Sequence, residues 1–213
     1  MSIISRPIVS RRVRLSKPDQ VELFAESAEM PEGFLYRDEV ISAEDEVALI
    51  EELKKLPFKP FEFQGYLGKR RVVSFGWKYD FDQKKLQESR PIPDFLLPVR
   101  KEAAAVADVD PDGLQQILIN EYEAGAGVGW HRDKGMFEDV IGISLSSAGT
   151  FRFRRELGDD WERISRVLQP RSAYLMRGPS RWEWQHSVPP VSALRYSVTF
   201  RNFAPSHASV SRS

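Results

Sequence analysis

His131 and Asp133 stand two apart in the run Trp130-His131-Arg132-Asp133. In an extended strand alternate side chains share a face, so this imidazole and this carboxylate point one way while Trp130 and Arg132 point the other. His186 comes much later, at the end of the strand-like run Trp182-Glu183-Trp184-Gln185-His186. Two imidazoles and a carboxylate on one side of an ion, with open positions opposite, suit iron(II) in a non-haem oxygenase. They also suit zinc in a hydrolase. The third and last histidine, His207, lies in a polar tail, so a histidine-based site has few other ways to be built. The chain has no cysteine, which excludes a disulfide scaffold, zinc–thiolate sites, iron–sulfur clusters and thiol catalysis.

A second pattern lies near the C-terminus. In LRYSVTFRNF the residues Arg195, Ser197, Thr199 and Arg201 alternate with Tyr196, Val198 and Phe200. One strand face is apolar and the other carries two guanidiniums and two hydroxyls. A guanidinium binds a carboxylate through two parallel hydrogen bonds. Two such arms leaning toward each other suit a small dicarboxylate, whereas the plain alternative is a pair of solvated arginines on an edge strand. A third pattern is ILINEY, where Asn120 and Tyr122 share a face and a GAG turn at 125–127 leads into the His131 run.

These groups need a frame. Ser42 followed by Asp45 forms a capping box, and Val47, Ile50, Leu53 and Leu56 give helical periodicity, predicting a helix over 43–56. A second helix is predicted over about 94–107, with Pro98 tolerated in its first turn. After residue 112 the texture changes to short alternating runs bounded by Gly, Pro or Asp, such as VIGISLS, TFRFRR and AYLMRG. That spacing predicts an antiparallel sandwich or barrel. The fold class is α+β, mainly β.

The order Asn-x-Tyr, glycine turn, His-x-Asp, distant His and Arg-x5-Arg strongly resembles the AlkB family of oxidative demethylases over about residues 58–203. NEYEAGAGVGWHRDKG and RYSVTFR look very like the matching family segments. The resemblance implies a double-stranded β-helix (jelly-roll) core with a nucleotide-recognition region ahead of it. It implies that His131, Asp133 and His186 ligate Fe(II), and that Asn120, Tyr122, Arg195 and Arg201 hold 2-oxoglutarate. It also implies O2-dependent demethylation of N-alkylated bases in DNA or RNA, with release of formaldehyde, succinate and CO2. Where some relatives carry an acidic residue just past His-x-Asp this chain has Lys134 and Gly135, and Ser197 replaces an Asn. Weaker preference among methylated bases follows. The rival readings are the same chemistry on a protein side chain, or a non-catalytic β-barrel that binds nucleic acid.

For the substrate, Lys69, Arg70 and Arg71 precede VVSFGWKYDF, in which Phe75, Trp77 and Tyr79 share a strand face. Cations meet phosphate and ring faces stack on bases, each stack being worth ~1–3 kcal/mol; the equal alternative is a core strand whose aromatics are buried. Arg152, Arg154 and Arg155 offer a second basic edge; Trp182 and Trp184 alternate with His186 and read first as core packing, with walling the metal from water as the alternative. Lys plus Arg equal Asp plus Glu at 31 each, so polyanion binding must rest on such local patches. With 41% hydrophobic residues the composition is that of a globular chain, and no apolar run approaches the ~20 residues that cross a bilayer. The expected organisation is a flexible basic arm over 1–24, one dioxygenase domain over 25–205 and a disordered tail over 206–213. Within that domain, about 58–82 is the recognition region and 112–203 the core. A cytoplasmic monomer is expected, with organellar targeting by the Arg-rich arm as the alternative.

Overall fold

The computed structural model describes residues 29–63, 66–80 and 85–205; the arm over 1–24 and the tail over 206–213 lie outside them. β1 (Phe34–Arg37) leads to α1 (Ala43–Lys54). Ser42 caps α1 by accepting from the Asp45 amide at 3.0 Å, and Glu44, Asp45 and Glu46 fill the first turn, where the helix dipole favours acids. A 3-10 turn over Asp94–Leu96 runs into α2 (Leu97–Ala107), with Pro98 in the first turn as predicted. Asp108 closes α2 in the left-handed region at φ 52°, its amide bonding the Ala104 carbonyl. Among the described residues no helix is long and apolar enough to cross a membrane.

Between the helices, β2 (Lys59–Phe63) and β3 (Tyr66–Phe75) form an antiparallel hairpin. The continuous run expected from Val72 onward breaks at Gly76. That residue has φ +71°, and a Cβ there would sit 2.0 Å from the Gln115 carbonyl oxygen. β4 (Trp77–Asp80) therefore leaves the hairpin and pairs with β5 (Lys85–Glu88) in a sheet of its own. Phe75 and Trp77 thus belong to different sheets.

The β-rich half comprises β6 (Gln116–Tyr122), β7 (Val128–His131), β8 (Phe137–Leu145), β9 (Gly149–Leu157), β10 (Asp160–Leu168) and β11 (Ala173–Met176), then the short α3 (Pro179–Trp182), β12 (Gln185–Val188) and β13 (Arg195–Phe203). A seven-stranded sheet runs β1-β11-β8-β13-β6-β3-β2 and a four-stranded sheet runs β10-β9-β12-β7. All pairings between these strands are antiparallel. One face of the large sheet, with Ile117, Ile119, Ile141, Ile143, Val198 and Phe200, packs on Leu49 and Leu53 of α1 and Val99 and Ala103 of α2. The other face meets the small sheet, where Tyr122, Phe151, Phe153, Tyr174 and Val188 form a second core. This is the jelly roll that the resemblance implies, with helices backing the large sheet.

The same layering explains why β6, β8 and β13 are buried on both faces instead of alternating with solvent. The polar face of β13 looks into the protein. WEWQHSV is not one strand either: Trp182 ends α3 and β12 begins at Gln185.

Candidate active site

His131 closes β7, and the register of β12 against β7 sets His186 directly opposite it. Directly opposed residues of an antiparallel pair project to the same face, and the two imidazole centroids are 4.2 Å apart. Asp133 follows two residues beyond the strand end, with its Oδ2 3.8 Å from His186 Nε2. One ligand atom from each of the three lies within 4.8 Å of the others. His131 Nδ1 is 2.9 Å from the Gly129 carbonyl. A carbonyl only accepts, so Nδ1 carries the proton and the Nε2 lone pair is left for a metal.

Burial, and secondarily the neighbouring His131, lowers the His186 pKa to about 3; burial also lowers that of His131. Both rings are therefore neutral near pH 7, the form that binds metals. Burial pushes the Asp133 carboxyl up, but Arg201, His186, His131 and Arg181 outweigh it and hold the group well below the usual carboxylate range. The loop after Asp133 is fixed by Arg181, which is 2% exposed and donates to the carbonyls of Lys134 at 2.6 Å and Phe137 at 3.0 Å.

The arginine face stands beside the triad. Arg195 is 1% exposed and gives Nε and Nη2 to Ser144 Oγ at 3.2 and 2.9 Å. Its Nη1 has no partner, and burial lowers its pKa. Gly149 makes room for it, since a Cβ there would lie 2.7 Å from Arg195 Nε. The β13–β6 register puts Tyr122 opposite Arg195 and Asn120 opposite Ser197, so all four share one wall. Arg201 is engaged differently: Nη1 donates to Gln116 Oε1 at 2.7 Å and Nη2 to Asp133 Oδ1 at 3.0 Å. It orients the carboxylate of the triad, leaving Oδ2 turned toward the imidazoles.

These groups line a cavity of about 820 Å³. Lys69, Arg70, Arg132, Lys134, Arg152, Arg195 and Arg201 contribute to its wall against the single carboxylate of Asp133. Among the described residues, buried side-chain atoms without a hydrogen-bond partner are Arg70 Nε, Asp133 Oδ2, Arg181 Nε, Arg195 Nη1 and Arg201 Nε. All but Arg181 belong to residues of this cavity wall. Each such atom costs ~1–3 kcal/mol when left unmade. Their concentration here marks a space completed by a cation near Asp133 and an anion near the guanidiniums. The fit to iron(II) and a dicarboxylate is good in donor type and in sign of charge.

The remaining sequence-derived residues separate. Arg70 faces the cavity and Lys69 stands exposed at its rim. Arg71, one residue on, turns to the opposite sheet face and pairs with Glu121 at 2.5 Å. Trp77 is not in the cavity wall; it packs edge-on against Phe203 at 5.9 Å, because Gly76 diverts its strand. Tyr79 lies opposite Leu86 in the β4–β5 hairpin, and its side chain lies outside the described residues. Arg152 and Arg154 stack on Trp130, which lines the cavity beside Arg152, and Arg155 pairs with Glu162 at 2.6 Å. Trp184 is buried edge-on against Phe153, and Trp182 is 40% exposed, so neither walls the triad.

Phe151 does that instead, stacked 5.3 Å from the His186 ring, with Tyr174 beside it at 4.7 Å. The Tyr174 ring crosses Gly142, where a Cβ would come within 2.2 Å of it. Sequence reasoning missed Tyr174, Phe151, Ser144 and Gln116. The one available signal was Gly142 inside an otherwise bulky strand, which marks a close approach.

Residues 33–201 match the family described as the 2OG-Fe(II) oxygenase superfamily. Over 169 residues the chain is 31% identical to the Mus musculus protein named tRNA (carboxymethyluridine(34)-5-O)-methyltransferase ALKBH8, covering 76% of this chain and 25% of that one. Over 148 residues it is 28% identical to the Arabidopsis thaliana Alkylated DNA repair protein ALKBH8 homolog, covering 58% of this chain and 42% of that protein. The chain thus spans a quarter to two fifths of these relatives. Among solved structures, OsALKBH1 superposes with a TM-score of 0.62 at 17% identity, covering 82% of this chain and 98% of that one. A prolyl hydroxylase from Trichoplax adhaerens, in complex with a hypoxia inducible factor peptide fragment, gives 0.59 at 12% identity, covering 85% and 88%. Both likenesses are of fold. The chain belongs to the 2OG-Fe(II) oxygenase superfamily, as an AlkB-like member that uses iron(II), 2-oxoglutarate and dioxygen.

Proposed function

We propose that this protein removes alkyl groups from ring nitrogens of bases in nucleic acid. The observation that carries the reading is the meeting, in one cavity, of the His131–Asp133–His186 cluster with the partnerless atoms of Arg195, Arg201 and Asp133. In this reading His131 Nε2, Asp133 Oδ2 and His186 hold iron(II). Arg195, with Tyr122 and Asn120 on its wall, takes the far carboxylate of 2-oxoglutarate. Arg201 holds Asp133 by Oδ1 and offers its remaining N–H to the co-substrate.

Bound iron(II) supplies the activation of dioxygen that oxidises both the keto acid and the alkyl carbon. One oxygen atom ends in succinate, whose formation releases CO2, and the other ends on the alkyl carbon. The hydroxylated N-methyl group then falls apart to formaldehyde and the bare ring nitrogen. The protein orients these partners, and Phe151 and Tyr174 exclude water beside His186. No side chain acts as nucleophile.

The cationic wall supports a nucleic-acid substrate, as do the names of the relatives, one of tRNA modification and one of DNA repair. The experiment is release of formaldehyde and succinate from N-methylated single-stranded DNA, the same sequence as RNA, and a methylated peptide, with one preparation of iron-loaded protein. Formaldehyde from either nucleic acid and none from the peptide is the expected result. Turnover of the peptide alone refutes the reading while leaving the oxygenase chemistry in place.

A further inference from the structure

The three consecutive cations of β3 do three different things, and the middle one is unexplained by the site as described. Arg71 turns away from the cavity to Glu121, and Lys69 is exposed at the rim. Arg70 points inward. Alternation along β3 puts it on the face of Val72, which lies opposite Asn120 on β6, so it shares the wall of Tyr122 and Asn120. Its guanidinium stacks 3.9 Å from the centroid of Phe61, which belongs to β2, and its Nε is buried with no partner. Among the described residues no carboxylate lies within ion-pair distance of it, and burial lowers its pKa.

Arg70 is half-buried, and its sealed Nε, with no partner and no counter-ion beside it, is costly unless an anion joins the group. The co-substrate does not meet this need. The charges of iron(II) and the 2-oxoglutarate dianion cancel, and Asp133 offsets the guanidinium of Arg201, to which it is bonded. Arg195 lies on the far side of Tyr122 from Arg70, since β6 separates β13 from β3. Arg70, Phe61, Gly68 and Lys69 instead make one wall from the β2–β3 hairpin, opening toward the exposed Lys69.

Resting on the nucleic-acid reading above, we infer that Arg70 is a specificity-determining residue that receives an anionic oxygen group of the substrate inside the iron cavity, held flat against Phe61. The group is either the phosphate next to the target nucleotide or a carboxylate borne by the base itself. A phosphate contact at the rim tunes affinity and salt dependence. A partnerless guanidinium in the cavity discriminates, because a substrate lacking the anion leaves it uncompensated.

The test uses the full chain loaded with Mn(II) and 2-oxoglutarate, and measures binding of a single-stranded pentanucleotide carrying one central N-methylated base. With a probe that carries the anion, Arg70→Met binds about tenfold or more weakly, and Arg70→Lys recovers part of the loss, as expected for one charge-assisted hydrogen bond. Affinity for 2-oxoglutarate, read from the charge-transfer absorbance of the iron form, stays within about twofold, which also shows that the variant is folded. If the anion is the phosphate, the Arg70→Met penalty vanishes when methylphosphonates replace the linkages flanking the methylated base. If it is a base carboxylate, the penalty appears with a carboxylate-bearing base and vanishes with its amide. The inference is overturned if Arg70→Met weakens 2-oxoglutarate binding as much as oligonucleotide binding, or if charged and neutral probes lose equally. A wild-type protein that binds no pentanucleotide overturns both this inference and the reading beneath it, a result distinct from the other two.

Discussion

β13 and β3 both carry arginines on a face turned toward the same cavity, yet the two strands hold them in different ways. β13 lies between β6 and β8, which pair with it from Tyr196 to Arg201 on both sides. Each arginine meets polar groups on neighbouring strands: Ser144 for Arg195, Gln116 and Asp133 for Arg201. β3 lies next to the sheet edge, held by β6 and the short edge strand β2. There Arg70 meets one aromatic ring and no acid. A central strand presents guanidiniums already aimed, as a reaction needing fixed geometry requires. A strand near the edge presents one that its substrate must finish aiming, which suits selection among substrates.

The sharpest way to break the contrast is to remove what the central strand aims at. Asp133→Ala deletes the triad's anionic ligand and strands Arg201. Iron affinity should fall by more than the 10–100-fold that loss of a mere supporting partner costs. Succinate production should collapse with it, and an Asp133→Ala protein that keeps iron and normal succinate output rules the triad out.

Substituting the two arginines of β13 by lysine sharpens the comparison. Lysine keeps charge but loses the planar fork. Arg195→Lys should weaken 2-oxoglutarate about 10–100-fold, the worth of a charge-assisted hydrogen bond, with iron affinity nearly unchanged. Arg201→Lys should do the reverse in part, lowering iron affinity about tenfold through Asp133. Equal responses of both variants in metal and co-substrate titrations would show that the arginines act as one unit.

The smallest effect is expected where the sequence placed the base stack. Trp77 packs on Phe203, so Trp77→Ala should lower stability by about 1–2 kcal/mol, read as a drop in Tm. Oligonucleotide turnover below the unfolding temperature should stay within twofold. A tenfold loss of turnover at unchanged Tm would restore Trp77 to the substrate.

These expectations also show which signals a sequence carries. Helix starts near Ala43 and Leu97 follow from a local cap and a local proline, and the alternation in LRYSVTFRNF comes from one strand's pleat. Ser42, Pro98 and Arg195 can therefore be read within a few residues. The bond from Arg201 to Asp133 joins residues far apart in sequence through a fold that no local pattern encodes. Trp77 was misplaced because alternation was carried through Gly76, whose positive φ and contact with Gln115 depend on a neighbouring segment. Trp184 packs in the core as first read, but neither it nor Trp182 shares a strand with His186, because α3 interrupts an apolar run of the kind that periodicity alone leaves ambiguous.

The cross-strand pairing of His131 with His186 has a consequence for folding. Slipping β12 by one residue along β7 would turn His186 to the outer side of the sheet and bring Gln185 or Ser187 inward. Only the native alignment chelates. A metal ion that binds this pair with Asp133 therefore stabilises one alignment over its neighbours, and acts as a proofreader of strand assembly before it takes any part in oxidation.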